Sequence, residues 1–483
     1  MNKGIIRYTL GRIMLVEAGL MIFPLFIGLI YRESLKSIGS FLLVMIALAV
    51  LGFAAGFKKP HSMHLYAKEG LAIASLSWLV ISFFGCLPYV LSGDIPSLVD
   101  AFFEASSGFT TTGASILTDV EAMNRSNLFW RSFTQLIGGM GVLVFAMALL
   151  PNTTSGSVNI MKAEVPGPSF GKLVSKLRNT ARILYLIYLI MTAVVIVLLM
   201  LGGMDWFDAS LHAFGAAGTG GFGVKNTSIA FYNSAYIDLV LSISMIAFGV
   251  NFNLYYLITV RQVKKVLKDE ELRWYLLIIL IAVVLISINI SGRYDSVLSL
   301  VRDVGFTVSS VITTTGYSTA DFNTWPLFSH IILLLLMFFG ACAGSTGGGL
   351  KISRVMVLWK TAAAKVFKMK QPRQAVCVRV DGSALGGDIL SLISSYFLIY
   401  VFLFIVQVLL LSLDVPDFMT AFSAVAATFN NIGPGLGRVG PATNYASLSG
   451  FSKFLLSIGM ITGRLEIYPV LILFIPSTWR KLR

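Results

Sequence analysis

Four segments of the chain share one pattern of residues suited to handling a small cation. They read DAFFEASSGFTTTGA (100–114), DASLHAFGAAGTGGF (208–222), DVGFTVSSVITTTGY (303–317) and TAFSAVAATFNNIGP (420–434). Aligned without gaps on Gly113, Gly221, Gly316 and Gly433, they place Asp100, Asp208, Asp303 and Thr420 thirteen positions earlier. The closing tetrapeptides are Thr110, Thr111, Thr112 and Gly113; Gly218, Thr219, Gly220 and Gly221; Thr313, Thr314, Thr315 and Gly316; and Asn430, Asn431, Ile432 and Gly433. Extended Thr/Gly backbone can turn carbonyl oxygens inward, and rings of carbonyls can replace the hydration shell of a monovalent cation. Glycine allows backbone angles that other residues resist. A short helix entering each loop would aim its partially negative carboxyl end at the same place. One such run reads equally well as a helix-packing face. Four in register between hydrophobic segments point to a pore.

The elements that would position these loops are membrane helices. The chain of 483 residues is 56% hydrophobic and only 12% charged, too little charge for a soluble surface. That excludes a soluble enzyme, a disordered regulator and a disulfide scaffold. Three cysteines and four histidines (His61, His64, His212, His330) form no ligand pattern. A bilayer core needs about 20 apolar residues of helix. Ten segments qualify: 13–31, 38–57, 71–92, 127–150, 182–203, 235–260, 274–291, 326–360, 390–413 and 451–476. The N-terminus opens like a signal peptide, but its apolar part is long and no small-residue cleavage site follows, so a retained anchor is expected. Of 37 basic residues, 27 fall in 1–12, 58–69, 152–182, 261–273, 351–381 and 480–483, which places these stretches and both termini in the cytoplasm. The net charge of +14 then reports orientation, with no nucleic acid implied. Twelve of the 23 acids (Asp94, Asp119 and Asp417 among them) lie on the opposite side. They read either as helix caps or as a cation-attracting mouth.

The pattern divides the chain into two N-terminal helices (1–69) and four helix–pore loop–helix repeats. The repeats cover 70–151, 152–262, 263–372 and 373–483. The expected fold is an all-α polytopic membrane protein with pseudo-fourfold symmetry.

Two features break the membrane pattern. The span 326–360 would cover about 52 Å as straight helix, and it contains Gly344, Ser345, Thr346, Gly347, Gly348 and Gly349. This run misses the spacing of a phosphate-binding loop. It reads as a kink between half-helices or as a flexible plug below the pore. Arg464 lies deep in the last span, where charge is costly. It is either a packing arginine bonded to carbonyls or a positive barrier in a cation path. Glu466 is two positions on, a spacing that does not favour a direct pair. Glu17, in the first span, has no role in this reading.

The motif TTTGY (313–317) is close to the TVGYG filter of potassium channels. With IGGMGVLVFAMALLP (137–151), KAEVPGP (162–168), GACAGSTGGGLKISR (340–354), FNNIGPGLGRVGP (429–441) and GRLEIYPVL (463–471), the four segments resemble the Trk/Ktr/HKT superfamily of potassium transporters. The two additional N-terminal helices are most similar to the Trk branch. The resemblance implies a potassium-selective pore in the cytoplasmic membrane, lined by the sixteen residues above, with potassium as substrate and no cofactor. All four filter glycines are present, as in potassium-selective members; serine at the first is associated with sodium passage. The resemblance also implies that the 344–349 loop gates the pore with Arg464 beside it. It further implies a homodimer coupled to a cytosolic ring of nucleotide-binding RCK domains. The basic stretch 351–381 is either ordinary cytoplasmic charge or the contact for that ring.

Two other classes stand beside the pore. An ion-coupled secondary transporter could use broken helices at the midplane, although these four repeats run in one direction. A membrane enzyme would need a His/Asp/Glu constellation that the sequence lacks.

Overall fold

The computed structural model describes residues 2–60, 66–141, 177–374 and 377–479. His61, His64, KAEVPGP, the end of the expected span 127–150, most of the basic stretch 152–182 and residues 480–483 lie outside the described residues.

The first two helical units are α1 (Lys3–Leu20) with α2 (Ile22–Ile30), and α3 (Leu35–Gly56). They pack closely because glycines face each other. A β-carbon on Gly11 would lie 2.7 Å from the backbone of both Gly52 and Gly56. Small residues four apart allow such approach where water provides no hydrophobic drive between helices.

Four repeats follow. The first holds α4 (Ala67–Ser92), α5 (Leu98–Phe109) and α6 (Arg125–Gly139). The second holds α7 (Leu177–Leu201), α8 (Trp206–Gly218), α9 (Ala235–Phe248) and α10 (Phe252–Thr259), and a short α11 (Val263–Lys268) leads onward. The third holds α12 (Glu270–Ile290), α13 (Val297–Ile312), α14 (Leu327–Phe338) and α15 (Ile352–Lys370). The fourth holds α16 (Gly387–Leu411), α17 (Phe418–Phe429), α18 (Gly450–Arg464), α19 (Tyr468–Phe474) and α20 (Pro476–Trp479). Among the described residues, a two-stranded hairpin pairs Arg379 with Ala384 and Val380 with Ser383. Asp381 and Gly382, both at positive φ, form its turn.

The leading helix of each repeat is long and apolar. Much of the surface of α7 and α16 is open to lipid, whereas α4 is mostly buried between the N-terminal helices and the centre. The second helix of each repeat, α5, α8, α13 and α17, has 12 to 16 residues. At 1.5 Å per residue these reach about 18–24 Å, short of a bilayer core. They are re-entrant. Side chains of Ser97, Asp205 and Asp417 accept hydrogen bonds from first-turn amides of α5, α8 and α17. These caps fix where each short helix begins.

The third helices of repeats two and four are where the structure departs from the expected spans. A break was expected only in 326–360, and it is present between α14 and α15. The span 235–260 is also broken, at Gly249–Asn251, where α9 and α10 meet at 92°. The span 451–476 is broken as well, at Leu465–Ile467. Ile467, a β-branched residue, stands at φ 68° and ψ −57°, and Tyr468 N donates to Glu466 O at 2.7 Å. This is a γ-turn of the rare, strained kind. Six described helices, counting α1 and α2 together, are long and apolar enough to cross a membrane unbroken.

Candidate functional site

The four tetrapeptides fold alike. The second residue of each, Thr111, Thr219, Thr314 and Asn431, has φ between 54° and 60°. The fourth, Gly113, Gly221, Gly316 and Gly433, has φ between 69° and 102°. The first residues Thr110, Thr313 and Asn430 have negative φ and ψ near 0°. Alternating hand along a backbone turns successive N–H groups to one side, leaving the carbonyls on the other. The amides point back into their own short helix. Thr112, Gly220, Thr315 and Ile432 each donate to the carbonyl five residues earlier, at 2.7–2.8 Å. Threonine and asparagine in a left-handed conformation are uncommon and cluster at functional sites.

The loops close into a ring. A β-carbon on Gly113 would lie 2.1 Å from the carbonyl oxygen of Gly220; on Gly221, 1.9 Å from that of Thr315; on Gly316, 2.1 Å from that of Ile432; and on Gly433, 2.7 Å from that of Thr112. Each fourth residue therefore abuts the third residue of the next loop, in the order one, two, three, four and back to one. Glycine is required here by contact as well as by φ. The first three residues of every tetrapeptide are buried.

Side chains far apart in sequence fasten the ring. Gln135, on α6, donates to Gly220 O at 2.7 Å and accepts from Phe222 N at 3.2 Å, so repeat one fixes the loop of repeat two. Arg131 pairs with Glu104 at 2.6 Å, donates to Gly223 O at 2.9 Å, and sits 3.5 Å from the Phe222 ring centre. Glu104 also accepts from Ser115 and from Ile116 N. Tyr317 donates to His212 O at 3.0 Å, joining repeats three and two. Tyr445 donates to Gly433 O, and Asn431 bridges Thr112 Oγ1 and Met460 O. Of these fasteners, Gln135, Arg131 and Tyr445 carry no signal in the sequence reading.

The break in repeat three forms a compact loop. Phe339 and Leu350 pair at its neck. Glu271 accepts from Ala343 N at 2.7 Å and Ser353 N at 2.9 Å, tying both ends. The broken helix of repeat two holds its middle: Cys342 N donates to Gly249 O, Phe252 N to Gly344 O, and Thr346 Oγ1 to Phe248 O. Ser345 donates within the loop, to Cys342 O. The loop reaches the end of the ring formed by the first residues. Gly348 N donates to Thr314 Oγ1 at 2.7 Å. β-Carbons on Gly347 and Gly348 would lie 3.1 Å from Thr313 O and 2.5 Å from Asn430 O, respectively. Gly349 takes a positive φ of 66° where the loop leaves this contact. Arg464 donates to Thr346 O at 2.7 Å and to Gly138 O and Gly139 O at 2.6 and 2.9 Å. The structure thus brings residues 344–349 and Arg464 together in one cluster, which meets the ring through Gly347 and Gly348. Glu466 pairs with Arg354, whose guanidinium lies 4.0 Å from the Tyr396 ring centre.

The acids opposite are mostly engaged in structure. Asp100 pairs with Lys453, Asp208 accepts from Tyr232, and Asp94 accepts from Asn124 and Asn127. Hydrogen bonds from Asn226 and from Thr420 hold the exposed Asp119 and Asp417 carboxyls below their ordinary range, so both stay charged. At Asp417, the N-cap of α17, cap and charge coexist. Glu17 is buried, its carboxylate facing Gly85 of α4 and accepting no hydrogen bond among the described residues.

The fold and site define a class: a polytopic helical membrane protein with four re-entrant loops closed into one carbonyl-bearing ring. Comparison with known proteins places it further. The family model of TrkH, described as cation transport protein, matches residues 37–481. The chain is 35% identical over 477 residues to the Trk system potassium uptake protein TrkH of Salmonella typhimurium, covering 98% of each chain. It is 34% identical over 467 residues to the Trk system potassium uptake protein TrkG of Escherichia coli, covering 95% of each. The crystal structure of the potassium transporter TrkH from Vibrio parahaemolyticus superposes with a TM-score of 0.90 at 32% identity, over 99% of this chain and 100% of that one. The protein belongs to the TrkH family of cation transport proteins.

The buried ion pair yields the first prediction. Arg131→Ala leaves Glu104 uncompensated at a cost of about 3–5 kcal/mol. The thermal midpoint of the purified protein is expected to fall sharply, and Glu104→Gln in the same chain to recover part of the loss. An unchanged midpoint for Arg131→Ala contradicts this account of the pair.

Proposed function

We propose that this protein is a potassium-uptake subunit of the cytoplasmic membrane, acting as a selective, gated, channel-like pore. The observation that carries the reading is the cyclic contact of each loop's glycine with the next loop's third carbonyl. In this reading the contact gathers carbonyl oxygens from four loops around one narrow passage, as a dehydrated monovalent cation requires. Thr110–Gly113, Gly218–Gly221, Thr313–Gly316 and Asn430–Gly433 form the selectivity filter. The re-entrant helices add the negative ends of their dipoles. Potassium is the substrate, no cofactor takes part, and no enzymatic step is needed. The names of the relatives support potassium as the ion.

The loop Gly344–Gly349 is the gate, and Arg464 is a fixed positive charge in the path. The segments 1–69, 70–151, 152–262, 263–372 and 373–483 are the two leading helices and the four pore repeats. Both termini face the cytoplasm, in keeping with the basic stretches. A homodimer and a cytosolic ring of nucleotide-binding RCK domains complete the system, as the family resemblance implies. Part of the basic stretch 351–381, on the exposed later half of α15, is the proposed contact for that ring.

Reconstituted ⁸⁶Rb⁺ uptake tests selectivity. Potassium is expected to compete and sodium not to; equal competition by sodium overturns the reading. Gly113→Ser places a β-carbon where Gly220 O now stands, so the ring must widen. Discrimination against sodium is expected to fall about tenfold, which is about 1.4 kcal/mol. Arg464→Ala, which removes the positive barrier, is expected to raise ⁸⁶Rb⁺ flux. Unchanged flux denies Arg464 that role.

A further inference from the structure

The gate loop holds its own cation. Lys351 is 2% exposed, and its ammonium donates to the carbonyl oxygens of Gly347 and Gly348. Arg464 donates to Thr346 O, the carbonyl just before them. Three consecutive carbonyls, 346 to 348, are therefore each capped by a cationic side chain. The same residues abut the ring through Gly348 N on Thr314 Oγ1 and through the near-contacts of Gly347 and Gly348 with Thr313 O and Asn430 O. Among the described residues, no carboxylate lies within ion-pairing distance of Lys351. The nearby acids are committed elsewhere: Glu466 to Arg354, and Glu271 to Ala343 N and Ser353 N.

A buried ammonium without an acid partner is costly unless dipoles replace its water. Here backbone carbonyls do so, which is also how a filter dehydrates a permeating ion. The ammonium is a compact monovalent cation on a flexible stem. We infer that the carbonyls of Gly347 and Gly348 form a further monovalent-cation site next to the filter, and that Lys351 fills it as a tethered blocking ion. When the loop opens, the ammonium leaves and a transported cation takes its place. One positive charge is exchanged for another, so the carbonyls stay compensated throughout. Lys351 lies one residue before α15, so displacement of that helix withdraws the ammonium directly.

This inference rests on the pore reading, and the test separates the two. ⁸⁶Rb⁺ influx is measured in liposomes carrying the full chain alone, for the parent protein, Lys351→Met and Lys351→Gln. Loss of one buried charged hydrogen-bonding tether shifts a closed–open equilibrium by about tenfold. Influx through the Met and Gln variants is expected to rise about that much. Glutamine keeps a donor for the carbonyls, so a block that survives in Lys351→Gln reflects hydrogen bonding alone and overturns the inference. Influx through Lys351→Met that stays at the parent level also overturns it. Sodium that competes with rubidium as well as potassium does, in the parent protein, counts against the pore reading and not against the blocking lysine. In crystals of Lys351→Met soaked with thallium, anomalous scattering is expected beside the Gly347 and Gly348 carbonyls. A loop that keeps its place with no thallium there contradicts the site.

Discussion

Non-helical backbone at bilayer depth must find its hydrogen bonds inside the protein, and the architecture turns on how it does so. Each of the four loops returns the amide of its third residue to its own re-entrant helix, five residues back. The alternation of φ that makes this possible also frees the carbonyls to face the opposite way. Amide satisfaction and carbonyl presentation are thus one conformational choice, made four times. The re-entrant helices are short because they end where the loops begin, and the broken third helices leave room for the ring.

The ring is not chemically uniform. Repeats one and three use threonines, with side chains bonding across the loop, Thr110 to Thr112 at 2.7 Å and Thr313 to Thr315 at 2.8 Å. Repeat two lacks this pair and is fastened by Gln135 of the preceding repeat. Repeat four substitutes asparagines, whose amides bond Tyr400, Thr112 and Met460. A single chain can make such exchanges because each repeat has different neighbours, whereas identical subunits would need a solution common to all four. Adjacent second and third helices also meet the loops through glycine: β-carbons on Gly138 and Gly463 would lie 1.8 and 1.9 Å from Phe109 O and Phe429 O. These equivalent approaches in repeats one and four extend the pseudo-symmetry beyond the filter.

Much of this was legible in the chain. The gap-free alignment of four tetrapeptides fixed the repeat, because backbone conformation there depends on local glycine chemistry. The glycine run at 344–349 announced its helix break for the same reason, and charge at bilayer depth marked Arg464. The breaks at Gly249–Asn251 and Leu465–Ile467 were hidden. One contains a single glycine, and the other forces an isoleucine to positive φ, which tertiary contacts must sustain. The fasteners Arg131, Gln135 and Tyr445 were hidden too. Their partners are tens to more than a hundred residues away in some cases, and a polar residue in an apolar helix does not name its partner. The same limit concealed the Arg354–Glu466 pair and the clamp that Glu271 places on the 340–350 loop.

The central claim is that four loops form one cation-binding ring. Thallium, a scattering substitute for potassium, tests it directly in crystals of the parent protein. Anomalous density is expected on the passage between the carbonyls of Thr112, Gly220, Thr315 and Ile432, and potassium in the soak is expected to diminish it. Thallium bound only elsewhere, with the four carbonyls unoccupied, would contradict the account.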